Sequence, residues 1–317
     1  MPHSAFAFPA NRLRLTRLAK GGLLGFAAIF FCLGLCAQEP VAPRKGGESA
    51  GHPPRIEGAR EAVYKQAESH AMKLWILGAG EASSPAKPAI VFFFGGGWTS
   101  GTPTQFERQA RHLAGRGMVA VLVDYRVKSR HGVKAVDCVA DARDALRWVR
   151  AHAAEHGIDP ARIAAAGGSA GGHLAGCLGT LPDPEGERPG AVSARPNALV
   201  LFNPALVLAP LDGVDLSGFV ADGSRARLGV DGREISPAHH VRPGLPPAIV
   251  FHGQADTTVP FATSAAFAEA MKKAGNRCEL VGYPGAAHGW FNRDGYEDTL
   301  KKSDAFLVSL GWLAPAP

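Results

Sequence analysis

Short apolar runs alternate along this chain with longer stretches whose apolar positions recur every three or four residues. The runs at 71–77, 89–94, 118–123, 163–166, 198–202, 248–251 and 279–283 contain few polar residues. Strands covered on both faces read this way, whereas a strand with one wet face alternates. Between two of them, 133–156 sets Val136, Val139, Ala140, Leu146, Trp148 and Val149 on one broad helical face and leaves Asp141, Arg143 and Asp144 elsewhere. That spacing predicts a crossover helix, and 261–274 and 296–310 read as two more. Strands and helices in turn predict an α/β fold, with a mostly parallel central sheet and helices on both faces.

The alternation fails between Asn203 and Pro246, where about 40 residues carry several Pro, Gly and Asp. A stretch that long predicts a functional insertion, about 204–246, placed after the sixth strand as a small cap over a pocket. It closes on Ser236-Pro237-Ala238-His239-His240. The paired histidines read as structural or surface groups, because no Asp, Glu or Cys stands at ligand spacing from them, and no metal site is expected.

Charge is informative mainly through its position. Residues 1–37 hold Arg12, Arg14, Arg17 and Lys20 with no acidic residue, followed by an apolar run from Gly21 to Ala37. A basic stretch leading into such a run predicts a secretory signal peptide cut after Ala37. The mature protein is then secreted or periplasmic, with no stable membrane insertion. An uncleaved anchor is the alternative, since the run approaches the length that spans a bilayer. Residues 38–60 read as a linker and 61–317 as the catalytic domain. The leader also accounts for most of the formal net charge of +6, because 30 of the 34 Lys and Arg lie beyond it, against all 28 Asp and Glu. Without a basic stripe interleaved with aromatics, a nucleic-acid partner is not expected. Beyond the leader only Cys138, Cys177 and Cys278 remain. Their spacing suits neither a disulfide framework nor zinc, so all three are expected to be buried.

Gly167-Gly168-Ser169-Ala170-Gly171 directly follows the run ending at Ala166. Strand, sharp glycine-lined turn and helix in succession would expose one serine hydroxyl at the top of a sheet. A hydroxyl is a poor nucleophile unless a base lies within hydrogen-bond reach and an acid orients that base. Among the later histidines, His173 sits one turn along the same helix, and His252 ends a strand ahead of any acid that could partner it. His288, in the loop 284–290, is the only one after Asp256. Asp256 follows the strand 248–251, whereas Asp183, Asp212, Asp215, Asp222 and Asp231 follow no clear strand. Ser169, Asp256 and His288 are therefore the candidate nucleophile, acid and base, in the chain order such an elbow requires. Upstream, 90–94 runs into Gly95-Gly96-Gly97-Trp98. Glycines there let backbone N–H groups turn toward a developing oxyanion. Trp98 and Trp290, flanking the glycines and the histidine, are the candidate substrate-binding residues.

Phe-Gly-Gly-Gly-Trp at 94–98, Gly-Gly-Ser-Ala-Gly-Gly-His-Leu-Ala at 167–175, His-Gly-Gln-Ala-Asp at 252–256 and Ala-His-Gly-Trp at 287–290 resemble the α/β-hydrolase serine esterases. The resemblance lies near the hormone-sensitive-lipase-like and acetyl-xylan/feruloyl esterase branches and covers roughly residues 60 to 313. It implies an oxyanion hole made by the N–H groups of Gly96, Gly97 and Ala170. It also implies carboxylic-ester hydrolysis without a cofactor, on a small-molecule or polysaccharide ester, with acetyl or small acyl groups on carbohydrate as the first expectation. A general short-chain carboxylesterase or lipase is the alternative, with a peptidase or a non-catalytic binding protein of the same fold below it. One departure stands out: the hormone-sensitive-lipase pattern opens its glycine run with His, where this chain has Phe94. The expected donors are backbone groups, so the change spares them. No G-x-G-x-x-G opens the first βα unit, and no Walker A sequence occurs.

Overall fold

The computed structural model describes residues 52–67, 70–81, 85–216 and 224–315. Eight strands among them form one sheet: β1 (Arg60–Ala67), β2 (His70–Leu77), β3 (Lys87–Phe93), β4 (Val119–Val123), β5 (Ile158–Gly168), β6 (Ala198–Phe202), β7 (Ala248–Gly253) and β8 (Cys278–Tyr283). Their spatial order is β1-β2-β4-β3-β5-β6-β7-β8. The pairs β1–β2 and β2–β4 are antiparallel and the other neighbours parallel. This is the α/β architecture that the alternation of runs and helices predicts, in the α/β-hydrolase form that the motif resemblance implies.

The lack of polar interruption has a direct cause in β3. Ile90 and Phe92 face one apolar cluster, shared with Leu113 of the helix Glu107–Gly115 and with Phe306 and Leu307 of the helix Tyr296–Ser309. Val91 and Phe93 face a second, shared with Val139 and Leu146 of Ala135–Ala151, Leu174 of Ala170–Thr180 and Phe267 of Phe261–Lys273. Both faces are covered, so every position gains from being apolar, by about 1.5–3 kcal/mol for a large side chain.

Three features depart from the sequence reading. β1 is an additional edge strand, and it makes Ala198–Phe202 the sixth. Residues 52–59, expected as linker, include Ile56, which is buried against Trp75 and Leu77. Asp141, placed off the apolar face of the crossover helix, is fully buried. It accepts hydrogen bonds from Arg126 Nε and Nη2, both at 2.8 Å, and from Lys65 Nζ at 2.7 Å. Its charge is thus compensated, as burial demands, and the network ties that helix to β1. The candidate leader and most of the linker lie outside the described residues. No helix among the described residues is long and apolar enough to cross a membrane. Cys138, Cys177 and Cys278 are buried and unpaired.

In the parallel half, Gly168 pairs with Phe202, Phe202 with Phe251, and Gly253 with Tyr283. Four strands therefore end at one level, and the segments that leave them gather along one edge of the sheet.

Candidate active site

β5 ends at Gly168 and a helix begins at Ala170, so Ser169 alone makes the turn, at φ 54 and ψ −118. A non-glycine residue held there costs on the order of 1–3 kcal/mol. Its neighbours make the turn possible. A Cβ on Gly171 would lie 2.0 Å from the Phe93 carbonyl oxygen, and one on Gly167 would lie 2.5 Å from the Gly171 carbonyl. Only glycine lets the helix start this close to the sheet. The Ser169 N–H donates to the Phe202 carbonyl at 2.9 Å, and its own carbonyl accepts the His173 N–H at 2.9 Å.

His288 reaches Ser169 from the loop after β8. Its Nε2 lies 3.0 Å from Ser169 Oγ, and its Nδ1 lies 2.7 Å from Asp256 Oδ2. A carboxylate can only accept, so Nδ1 carries the ring hydrogen and Nε2 is free to accept the serine proton. The other Asp256 oxygen accepts the N–H groups of Thr258 and Val259, both at 2.9 Å. Burial alone would raise the Asp256 carboxyl. Hydrogen bonding to His252, His288 and the Val259 N–H outweighs it and holds the group well below the usual carboxylate range. His252, which precedes the acid in sequence, is therefore also its neighbour. Its Nε2 lies 3.3 Å from Asp256 Oδ2 and 2.9 Å from the Val259 carbonyl, and Ser264 Oγ lies 2.7 Å from its Nδ1.

The glycine turn faces the elbow across a cavity of about 630 Å³ lined by Gly96, Gly97, Ser169, Ala170 and His288 among others. Gly96, Gly97 and Trp98 have φ of 128, 62 and 59 in succession. The N–H groups of Gly96, Gly97 and Ala170 donate to no protein acceptor among the described residues. Just before them, Gln105 Oε1 accepts the Gly95 N–H at 2.6 Å. Phe94 stacks on Tyr125 at 4.1 Å, and the Tyr125 hydroxyl donates to the Phe94 carbonyl at 2.6 Å. The aromatic residue that departs from the lipase-like pattern is thus itself an anchor of the turn.

Trp98 lines this cavity and Trp290 does not. Gly289, at φ 77, turns the chain directly after His288. Trp290 then packs on Tyr283 and Phe291 and borders a second cavity of about 610 Å³ that shares His288. The expectation that both tryptophans line the cavity beside Ser169 is corrected on this point. Several cavity residues escaped the sequence reading, among them Asn203, Gln105 and Arg227. Asn203, fully buried at φ 34 at the end of β6, accepts the Gly289 N–H at 3.2 Å and keeps an unpartnered Nδ2. Gln105 borders the glycine turn, and Arg227 lies over the Trp98 ring at 5.0 Å. An Asn before Pro at a strand end was the available signal for the first; Gln105 and Arg227 had none. No Asp or Glu among the described residues lines the cavity.

Of the insertion's described part, only Ala205 and Arg227 line the cavity, while Leu206, Val207, Leu208, Ile235 and Ala238 are buried in the core. His239 bonds Ser236 Oγ and the Pro210 carbonyl, and His240 the Arg233 carbonyl. Both are therefore structural groups. No three His, Cys, Asp or Glu among the described residues converge as metal ligands.

Residues 90–292 match the family model described as alpha/beta hydrolase fold. The carboxylesterase NlhH of Mycobacterium tuberculosis is 33% identical over 218 residues, which are 65% of this chain and 67% of that protein. An acetylxylan esterase of Xylanibacter ruminicola is 30% identical over 243 residues, 74% of this chain and 47% of that one. The chain spans about half the length of several curated relatives it matches. Among solved structures, the apo form of Thermogutta terrifontis esterase 2 is 52% identical, covers 84% of this chain and 100% of its own, and superposes with a TM-score of 0.78. That esterase has also been solved with propionate and with butyrate bound.

Proposed function

This chain belongs to the alpha/beta hydrolase fold family, whose relatives above are carboxylic ester hydrolases, and from that premise we propose that it is an exported serine esterase for short acyl esters. The observation that carries the reading is His288 bridging Ser169 and Asp256 at 3.0 and 2.7 Å. His288 Nε2 takes the Ser169 proton as Oγ attacks the ester carbonyl, and Asp256 holds the imidazole in the required tautomer and stabilises its cation. The N–H groups of Gly96, Gly97 and Ala170 receive the oxyanion. His288 returns the proton to the departing alcohol, and a water activated by the same nitrogen frees the acid from the acyl-enzyme. The Trp98 wall supports small acyl groups. Export is supported by the basic and apolar leader.

Two alcohols are distinguished. Likeness to the acetylxylan esterase supports carbohydrate esters. The higher identity to an esterase solved with propionate and butyrate supports a broader short-chain carboxylesterase, which we take as the primary reading. A fluorophosphonate probe should label the wild type and not Ser169→Ala. Labelling that persists in the variant would remove Ser169 as nucleophile. Comparing p-nitrophenyl acetate with acetylated xylan decides the alcohol.

A further inference from the structure

The reaction above leaves His173 unused, yet three separate segments meet at its ring. It is fully buried in the elbow helix, four residues after Ser169. Its Nδ1 accepts the Trp98 indole N–H at 3.2 Å, and its Nε2 donates to the Ile235 carbonyl of the insertion at 2.7 Å. The two rings meet edge to face at 5.0 Å. Only the neutral imidazole with hydrogen on Nε2 satisfies both partners. Burial lowers its pKa to about 4, so that form persists near neutral pH.

Trp98 needs such an anchor. It is the third of three successive left-handed residues and the one among them that is not glycine. That backbone state costs roughly 1–2 kcal/mol for a residue bearing a Cβ. The bond to His173 is the only hydrogen bond its side chain makes among the described residues. If the indole were released, the strain would favour a different backbone at Trp98, and the N–H groups of Gly97 and Gly96 would rotate with it.

We propose that His173 is a positioning residue for the oxyanion turn: by holding the Trp98 indole it keeps the Gly96 and Gly97 N–H groups aimed at the carbonyl attacked by Ser169. This rests on the ester-hydrolase reading. It assigns to one imidazole the alignment of elbow, glycine turn and insertion.

A double-mutant cycle tests it. His173→Leu removes the acceptor, Trp98→Phe removes the donor while keeping an aromatic ring, and the two are combined. With p-nitrophenyl acetate, each single variant should lose kcat about tenfold with KM within about twofold, since an oxyanion donor acts in the transition state alone. Inhibition by phenylboronic acid, whose serine adduct is tetrahedral, should weaken in proportion. The double variant should be no slower than the slower single one. His173→Asn, whose amide oxygen can accept the indole N–H, should recover most of kcat. Additive losses, a change confined to KM, or full kcat in Trp98→Phe would overturn the proposal, the last even if His173→Leu does not fold. A wild type inert to both the ester and a fluorophosphonate would overturn the ester-hydrolase reading and this with it. An active wild type with unimpaired variants overturns this one alone.

Discussion

Gly171 and Phe93 stand so close that a methyl group on the first would meet the carbonyl oxygen of the second at 2.0 Å. The obstacle is backbone, which cannot swing aside. Gly171→Ala should therefore cost more than the 1–3 kcal/mol usual for overpacking and should lower esterase turnover at least 100-fold by displacing Ser169. Gly115→Ala, where nothing lies within 4 Å of the added carbon, is the control and should melt within a degree or two of the wild type. Equal melting temperatures for the two variants would show that the elbow can relax.

Asp256→Asn should reduce kcat by about 10²–10⁴, because an amide facing Nδ1 favours the wrong histidine tautomer. Its effect on stability should depend on pH. The folded Asp256 carboxyl holds its proton more weakly than the unfolded group, whose pKa is about 3.9, so the folded state binds fewer protons and stability rises with pH. The contribution is complete above that unfolded value and fades as pH falls toward the lower folded one. Melting temperatures of wild type and variant should differ most at pH 6–7, and the gap should begin to narrow only as pH falls below about 4. A gap that is constant or widens in acid would contradict this.

Asn203→Ala removes the acceptor for the Gly289 N–H, one residue beyond His288. A lost hydrogen bond of about 1 kcal/mol corresponds to roughly a fivefold fall in kcat if it acts by loosening the imidazole. Steady-state kinetics should show that fall with KM nearly unchanged. A rise in KM alone would make Asn203 a substrate contact.

With Trp98 as one wall, kcat/KM should fall from p-nitrophenyl acetate to butyrate and become negligible by decanoate, at about 1–3 kcal/mol for each methylene that does not fit. Trp98→Ala should raise the decanoate to acetate ratio even though it slows acetate itself. An optimum at eight carbons or longer would favour a lipase.

Secretion in a heterologous host should yield a mature N-terminus near Gln38 by mass spectrometry. An intact Met1 terminus in the soluble cytoplasmic fraction would argue against export.

Much of this architecture is legible in the chain because the buried parallel strands leave no room for polar residues, and because Gly167 and Gly171 are demanded by a backbone contact that no other residue satisfies. β1 is not legible in that way. Arg60, Glu61, Lys65 and Gln66 leave only Tyr64 and Ala67 buried, as suits an edge strand, and such a segment shows no apolar run to mark it as a strand. Trp290 misleads for a geometric reason: adjacency to His288 says nothing of direction once Gly289 reverses the chain. Asn203 and His173 matter through partners far away in sequence, Gly289 and Trp98; the Asn-Pro pair at a strand end hints at the first, and no local pattern announces the second.

On the proposed triad, the ends of β5 to β8 also set which parts of the chain must be present before this protein can act. Synthesis delivers the elbow first, while Asp256 and His288 follow in the loops after β7 and β8, the last two strands in the sequence. A nascent chain carrying Ser169 without them holds an ordinary hydroxyl. On the proposed triad, Ser169 gains its base only once the loop after β8 is in place, so a chain that lacks β7 and β8 is expected to leave esters intact.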